Sequence, residues 1–127
     1  MNKKIIQTEK APAPIGPYNQ AVLTNNTLYI SGQIPLIPST MELVEGSIEE
    51  ETVQVMENLK AVLNAAEMDF SHVVKASIFL SDMHTFNEVN EVYGRYFDHA
   101  QAPARETVEV ANLPKFVNVE ISLIAVR

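Results

Sequence analysis

The order of apolar periodicities predicts a mixed α/β (α+β) fold, a single domain over residues 1–127 with two helices on one face of a mixed β-sheet. Three observations predict it. Two stretches carry a helical stripe behind a capping box, segments of period two stand before, between and after them, and the length suits one core. The chain has 127 residues, 46% of them apolar. A domain of that size hides roughly two-thirds of the surface its unfolded chain exposes, so neither metal nor crosslink is needed to hold it.

Short apolar runs at roughly 4–7, 19–23 and 28–32 read as strands, with Thr24-Asn25-Asn26 turning between the last two. Ser47 and Glu50 make a capping box, in which a hydroxyl and a carboxylate satisfy each other's free backbone N–H groups. Behind it Thr52, Met56, Leu59, Leu63 and Ala66 recur every three or four residues, which predicts a helix over roughly 48–67. A strand follows at roughly 72–80. There Val74, Ala76, Ile78 and Leu80 share one face, and Val73, Lys75, Ser77 and Phe79 the other. Thr85 and Glu88 form a second capping box before the stripe Phe86, Val89, Tyr93, Tyr96 and Phe97, a helix over roughly 86–98. Val108 and Val110 mark another strand, and Asn112-Leu113-Pro114-Lys115 is expected to make a hairpin to the last one. In that last strand, roughly 117–126, Val117, Val119, Ile121, Leu123 and Ala125 alternate with Asn118, Glu120, Ser122, Ile124 and Val126.

Right-handed crossovers put both helices on one side of the sheet. The other side would carry Glu120, Ser122, Asn118, Lys75 and Ser77 beside Phe79, Ile124 and Val126. That face is too polar for a monomer's core and too apolar for open water, so a symmetric oligomer packed sheet against sheet is expected to cover it. Two long connections, residues 11–17 and 33–46, are candidates to carry function.

Composition excludes several classes of function. With no cysteine there are no disulfides, thiolate nucleophiles or Cys-ligated metals. The net charge is −7 and the basic residues are scattered, which disfavours nucleic acid and anionic membranes. No signal-peptide core and no membrane-length apolar run is found, so the expectation is a soluble cytoplasmic protein. His72, His84 and His99 lack a metal-ligand spacing, and the expectation is no metal. Gly16, Gly32, Gly46 and Gly94 make neither a dinucleotide nor a phosphate loop, so no nucleotide cofactor is expected. Ser31 lacks the glycine-flanked elbow of a serine hydrolase.

The residues left as candidates are few. Arg105 follows Ala102-Pro103-Ala104 at the start of a strand, where a stiff lead-in would aim its planar fork at a carboxylate. The competing reading pairs Arg105 with one of the chain's sixteen acids. Glu120 interrupts the apolar alternation and would lie on the mixed face, as a solvated side chain or, at an oligomer seam, as a group that orients water. Tyr18 and Ser31 place hydroxyls at loop–strand junctions. Asn90 is a mediocre helix former inside the second helix.

These residues sit in segments that together resemble the RidA family, also called the YjgF family. The segments are Ile15-Gly16-Pro17-Tyr18, Ile30-Ser31-Gly32-Gln33-Ile34-Pro35, Asn58 to Leu63, Pro103-Ala104-Arg105, Val108-Glu109-Val110, Leu113-Pro114 and Val119-Glu120-Ile121. The resemblance runs from about residue 3 to the C-terminus. It implies a chorismate-mutase-like fold and a homotrimer whose sheets line a central barrel, with active sites between subunits. It implies hydrolysis of carboxylate-bearing 2-enamines and 2-imines, such as 2-aminoacrylate and 2-iminobutyrate, to 2-keto acids and ammonia without a cofactor. On that reading Arg105 grips the substrate carboxylate and Glu120 positions the attacking water. Tyr18, Ser31 and Asn90 shape the pocket, and backbone groups at Arg105 and Thr107 add contacts. The chain departs from common relatives at Glu106 (Ser or Thr), Thr107 (Cys), Ser122 (Glu) and Ala66-Glu67 (Ala-Gly). Glu106 would narrow substrate choice if it pointed toward Arg105, and strand alternation sends one of these two neighbours the other way. An RNA-binding or endoribonuclease translation inhibitor and a chaperone-like regulatory protein are the alternatives. The first must overcome the acidic charge, and the second needs no Arg105.

Overall fold

The computed structural model describes residues 2–127. Its strands are β1 (Lys3–Ile6), β2 (Ala21–Thr24), β3 (Thr27–Gln33), β4 (Val73–Leu80), β5 (Ala104–Glu109) and β6 (Val119–Val126), and its helices are α1 (Ile48–Ala65) and α2 (Phe86–Gly94). The strands form one sheet in the order β1-β2-β3-β6-β4-β5. Only β4 and β5, joined through α2, pair in parallel; every other pair is antiparallel. This is the mixed sheet with two helices on one face that the sequence predicts. The helices bury their stripes against Leu28, Ile30, Ala76, Ile78, Leu80, Val119, Ile121 and Leu123 in one continuous core.

Helix α1 starts as expected. Ser47 accepts from the Glu50 N–H at 3.2 Å, and Glu50 accepts from the Ser47 N–H at 3.2 Å. Its end is a Schellman closure, with Met68 N–H donating to Leu63 O and Glu67 N–H to Asn64 O, both at 2.9 Å. That closure needs a left-handed residue after the cap, and here it is Glu67, at φ 59°.

Four expectations are corrected. Thr85 does not cap α2, because its hydroxyl donates to Asp82 O at 2.8 Å and its backbone (φ −89°, ψ 4°) is not extended. The second helix stops at Gly94. The aromatics beyond it continue as a turn, where Phe97 still stacks on Tyr93 at 4.7 Å. A bulge between Val73 and Lys75 turns Val73 into the core and leaves Val74 exposed, the reverse of a strict alternation. Finally, β5 and β6 are not a hairpin. The last strand inserts between β3 and β4, so the 110–118 segment crosses the end of β4. There Leu113 and Val117 pack on Ile34 and Leu36 in a second small core.

Two buried amides pin the long connections. Gln20 accepts from Thr8 N–H at 2.7 Å and donates to Pro12 O at 2.9 Å, fixing the proline-rich segment that leads to Tyr18. Asn58, inside α1, donates to Leu36 O at 2.9 Å and holds the 34–36 segment on the helix. The far face of the sheet is uncovered. Tyr29, Val108 and Val126 are each exposed there by 40% or more, beside the half-covered Phe79 and Ile124.

Candidate active site

Arg105 is paired across the parallel β4–β5 ladder with Ala76, whose methyl points into the core, so Arg105 lies on the helix side at the sheet's edge. Helix α2 runs past it. The guanidinium carbon sits 5.1 Å from the ring centre of Tyr93 and 5.6 Å from that of Phe86, and Nη1 donates to Asn90 Oδ1 at 2.7 Å. Among the described residues no carboxylate lies within 4.0 Å of it. The reading of Arg105 as half of a structural ion pair is therefore not what the structure holds. Two residues on, Thr107 pairs with Ile78 on the same face. Its hydroxyl and that of Tyr93 are buried without a hydrogen-bond partner among the described residues. Burial pushes the Tyr93 phenol up to about 12, with Arg105 pulling slightly the other way.

Glu106 points to the opposite face. There it bonds the Ser77 hydroxyl and pairs with Lys75 at 2.9 Å, contacts that hold its carboxyl below the usual range. It does not crowd Arg105.

Glu120 also lies on that opposite face, between the core residues Val119 and Ile121. It folds back over Gly32, where a Cβ would stand 2.8 Å from the Glu120 carboxyl carbon, so a larger residue there would push the carboxylate aside. Glu120 borders a cavity of about 160 Å³, lined also by Ala13, Ile15, Tyr18, Ile34 and Pro114. Among the described residues it has neither a hydrogen-bond donor nor a cation within 4.0 Å, and desolvation by burial raises its pKa. The Tyr18 ring is half exposed at the cavity's edge. Ser31 is occupied in bracing that edge, donating to Asn19 O at 2.6 Å. A wider hollow of about 530 Å³ beside Gln7, Glu9 and Pro38 borders neither Arg105 nor Glu120.

The candidates thus fall into two groups. Arg105, Asn90 and Thr107 meet at the β5 edge on the helix side; Tyr18, Ser31 and Glu120 meet on the open side, with β4 between the groups. Within one chain they do not converge. Phe86 and Tyr93, which periodicity assigns to the core, turn out to line the arginine. The signal for them was the spacing Phe86, Asn90, Tyr93, which is one helix face. Gly32 could be read only once Glu120 was known to lie across it. Among the described residues no three His, Asp or Glu side chains cluster closely enough to hold a metal ion.

Known proteins share this fold. The model of the family described as Endoribonuclease L-PSP matches residues 8–127. The chain belongs to this L-PSP family, which includes the Rid proteins. The human protein named 2-iminobutanoate/2-iminopropanoate deaminase is 46% identical over 125 residues, covering 98% of this chain and 90% of its own. A Rid family protein of Yersinia pestis, YyfA, superposes with a TM-score of 0.95 at 46% identity, covering 98% and 99% of the two chains. Escherichia coli TdcF, solved with bound serine, gives 0.91 at 42% identity and 98% of both. The sheet and helices described above are therefore the L-PSP/Rid fold, and relatives named as deaminases and as endoribonucleases share it. No helix among the described residues is long and apolar enough to cross a membrane.

Proposed function

We propose that this L-PSP family member hydrolyses 2-enamines and 2-imines that carry a carboxylate, giving 2-keto acids and ammonia, as a cytoplasmic homotrimer that needs no cofactor. The observation that carries the reading is Arg105, a guanidinium braced by Tyr93, Phe86 and Asn90 yet with none of the sixteen acids within 4.0 Å of it among the described residues. Such a group is a receptor for an anion from outside the chain. The deaminase name of the human relative and the amino acid bound to TdcF support a small carboxylate as that anion.

The chemistry follows from the two groups. Arg105 holds the substrate carboxylate through N–H groups not given to Asn90. Glu120 accepts a proton from water as the oxygen attacks the imine carbon. That proton passes to the imine nitrogen to give the carbinolamine; the carbinolamine's hydroxyl proton then moves through Glu120 to the nitrogen as the C–N bond breaks, so that ammonia leaves and the carbonyl forms. An enamine first takes a proton at carbon and gives one up from nitrogen to become the imine. Since Arg105 and Glu120 lie on opposite faces of one sheet, one copy supplies the arginine edge and the next copy the Glu120 cleft. Three copies burying their open faces would give that meeting. The uncovered Tyr29, Val108 and Val126 support such packing.

The family's name favours ribonuclease action as a second reading, against which stand the net charge of −7 and scattered basic residues. One preparation tests both. Ammonia and keto-acid release from freshly generated 2-iminobutyrate and 2-aminoacrylate should exceed uncatalysed decay, while single-stranded RNA stays intact. Decay at the uncatalysed rate overturns the proposal, and RNA cleavage abolished by Arg105→Ala would replace it.

A further inference from the structure

Arg105 starts an edge strand, so only β4 flanks it in the sheet, and a long flexible side chain there has many orientations open to it. Helix α2 removes them. Phe86, Asn90 and Tyr93 recur at i, i+4 and i+7, one face of the helix, and all three touch the guanidinium. The rings give it an apolar wall 5.1 and 5.6 Å away, and the Asn90 carbonyl takes one N–H. Tyr93 is itself immobilised. It is 95% buried, its ring packs at a tilt on Phe97 at 4.7 Å between centres, and Phe97 meets Phe70 edge to face at 5.2 Å. Its hydroxyl has no hydrogen-bond partner among the described residues, so packing of the ring is what fixes it.

We infer that Phe86, Asn90 and Tyr93 are positioning residues which act through Arg105, holding its planar fork in the one orientation that meets a carboxylate with two parallel bonds, and that Tyr93 does so by its ring and not its hydroxyl. The inference rests on the reading of Arg105 as the carboxylate receptor. The fork matches a carboxylate only in one plane, and the rings and Asn90 fix that plane before substrate arrives.

The test compares a 2-imino acid with its carboxamide analogue, which has no carboxylate for Arg105 to hold. Tyr93→Leu should raise KM for the imino acid about threefold to thirtyfold, the span of a cation–π contact of about 0.6 to 2 kcal/mol, with little change in kcat. Its KM for the carboxamide should match the parent's. Tyr93→Phe should restore the parent's KM for both, and Tyr93→Leu added to Arg105→Ala should cost nothing more, since the pair acts as one unit. Equal losses on both substrates, loss in Tyr93→Phe, or additive losses in the double variant would each overturn the inference. Should Tyr93→Leu fail to fold, Asn90→Ala, at an exposed position, reads the same KM split. An Arg105→Ala variant with the parent's KM for the imino acid would instead sink the receptor reading beneath it. Arg105→Ala impaired with Asn90→Ala and Tyr93→Leu both normal would sink the positioning alone.

Discussion

The arginine corner and the Glu120 cleft solve the same problem, holding a charged group ready, in opposite ways. Arg105 is exposed but flanked by its own chain: two rings and an amide of α2 line one side of the guanidinium. Glu120 instead occupies the space that a side chain at Gly32 would fill, and stands half buried with neither donor nor cation among the described residues. A finished corner tolerates being alone. A half-buried carboxylate with nothing to compensate it is poised for a partner, and the energetic cost of its desolvation is recovered only when water, substrate or a neighbouring subunit supplies donors. On the proposed function, the difference means that the folded chain carries two unlike halves of a site, each complete in its scaffold and incomplete in its chemistry.

The largest way to break this comparison is Glu120→Gln, which keeps the shape over Gly32 but removes the anionic acceptor. Imine hydrolysis should fall about a hundredfold, the lower end of general acid–base assistance, because imines already hydrolyse in water. Turnover measured against the uncatalysed decay, with the particle mass as control, checks it. In the parent enzyme the acid limb of the rate profile should lie above pH 4.5, since burial raises the Glu120 pKa and the group accepts a proton only when ionised. Protonation as the pH falls then switches activity off, and the Gln variant should lack that limb.

Arg105→Lys comes next. The charge stays but the fork and its stacking are lost, and forfeiting one charge-assisted bond of about 1.5–3 kcal/mol should lower kcat/KM about tenfold or more. A lysine variant with the parent's activity would mean that charge alone matters and that the rings of α2 are packing. The smallest effect lies outside both halves, at the C-terminal closure of α1. Glu67→Gly should relieve a left-handed non-glycine residue at φ 59° and stabilise the fold by about 1 kcal/mol in denaturant melts, with no change in activity.

Much of this was legible in the sequence. The capping box at Ser47, the stripe of α1 and the alternation of β6 fixed the helix-on-sheet layers, because local patterns report local structure. Strand neighbours are not local, and that is where the reading stopped. The hairpin expected at Asn112 to Lys115 failed because β6 inserts between β3 and β4, a choice made by long-range packing. The separation of Arg105 from Glu120 was hidden for the same reason. Alternation shows that Arg105 and Glu106 point oppositely, but only the register against Ala76 shows which of them faces the helices. Thr85 misled because Asp82, three residues earlier, takes its hydroxyl. The residues named for the candidate site fall into two groups on opposite faces of the sheet.

The central claim, that an Arg105 corner from one chain completes the Glu120 cleft of another, is tested most directly by mixing two inactive variants. Arg105→Ala and Glu120→Gln chains are unfolded together, refolded at equal concentrations, and assayed for keto-acid release beside each variant refolded alone. In every mixed trimer one of the three junctions joins an intact Arg105 to an intact Glu120, so random assembly should restore about one quarter of the parent's activity. Activity in the mixture no greater than the average of the two variants alone would contradict the account and return both residues to a single chain.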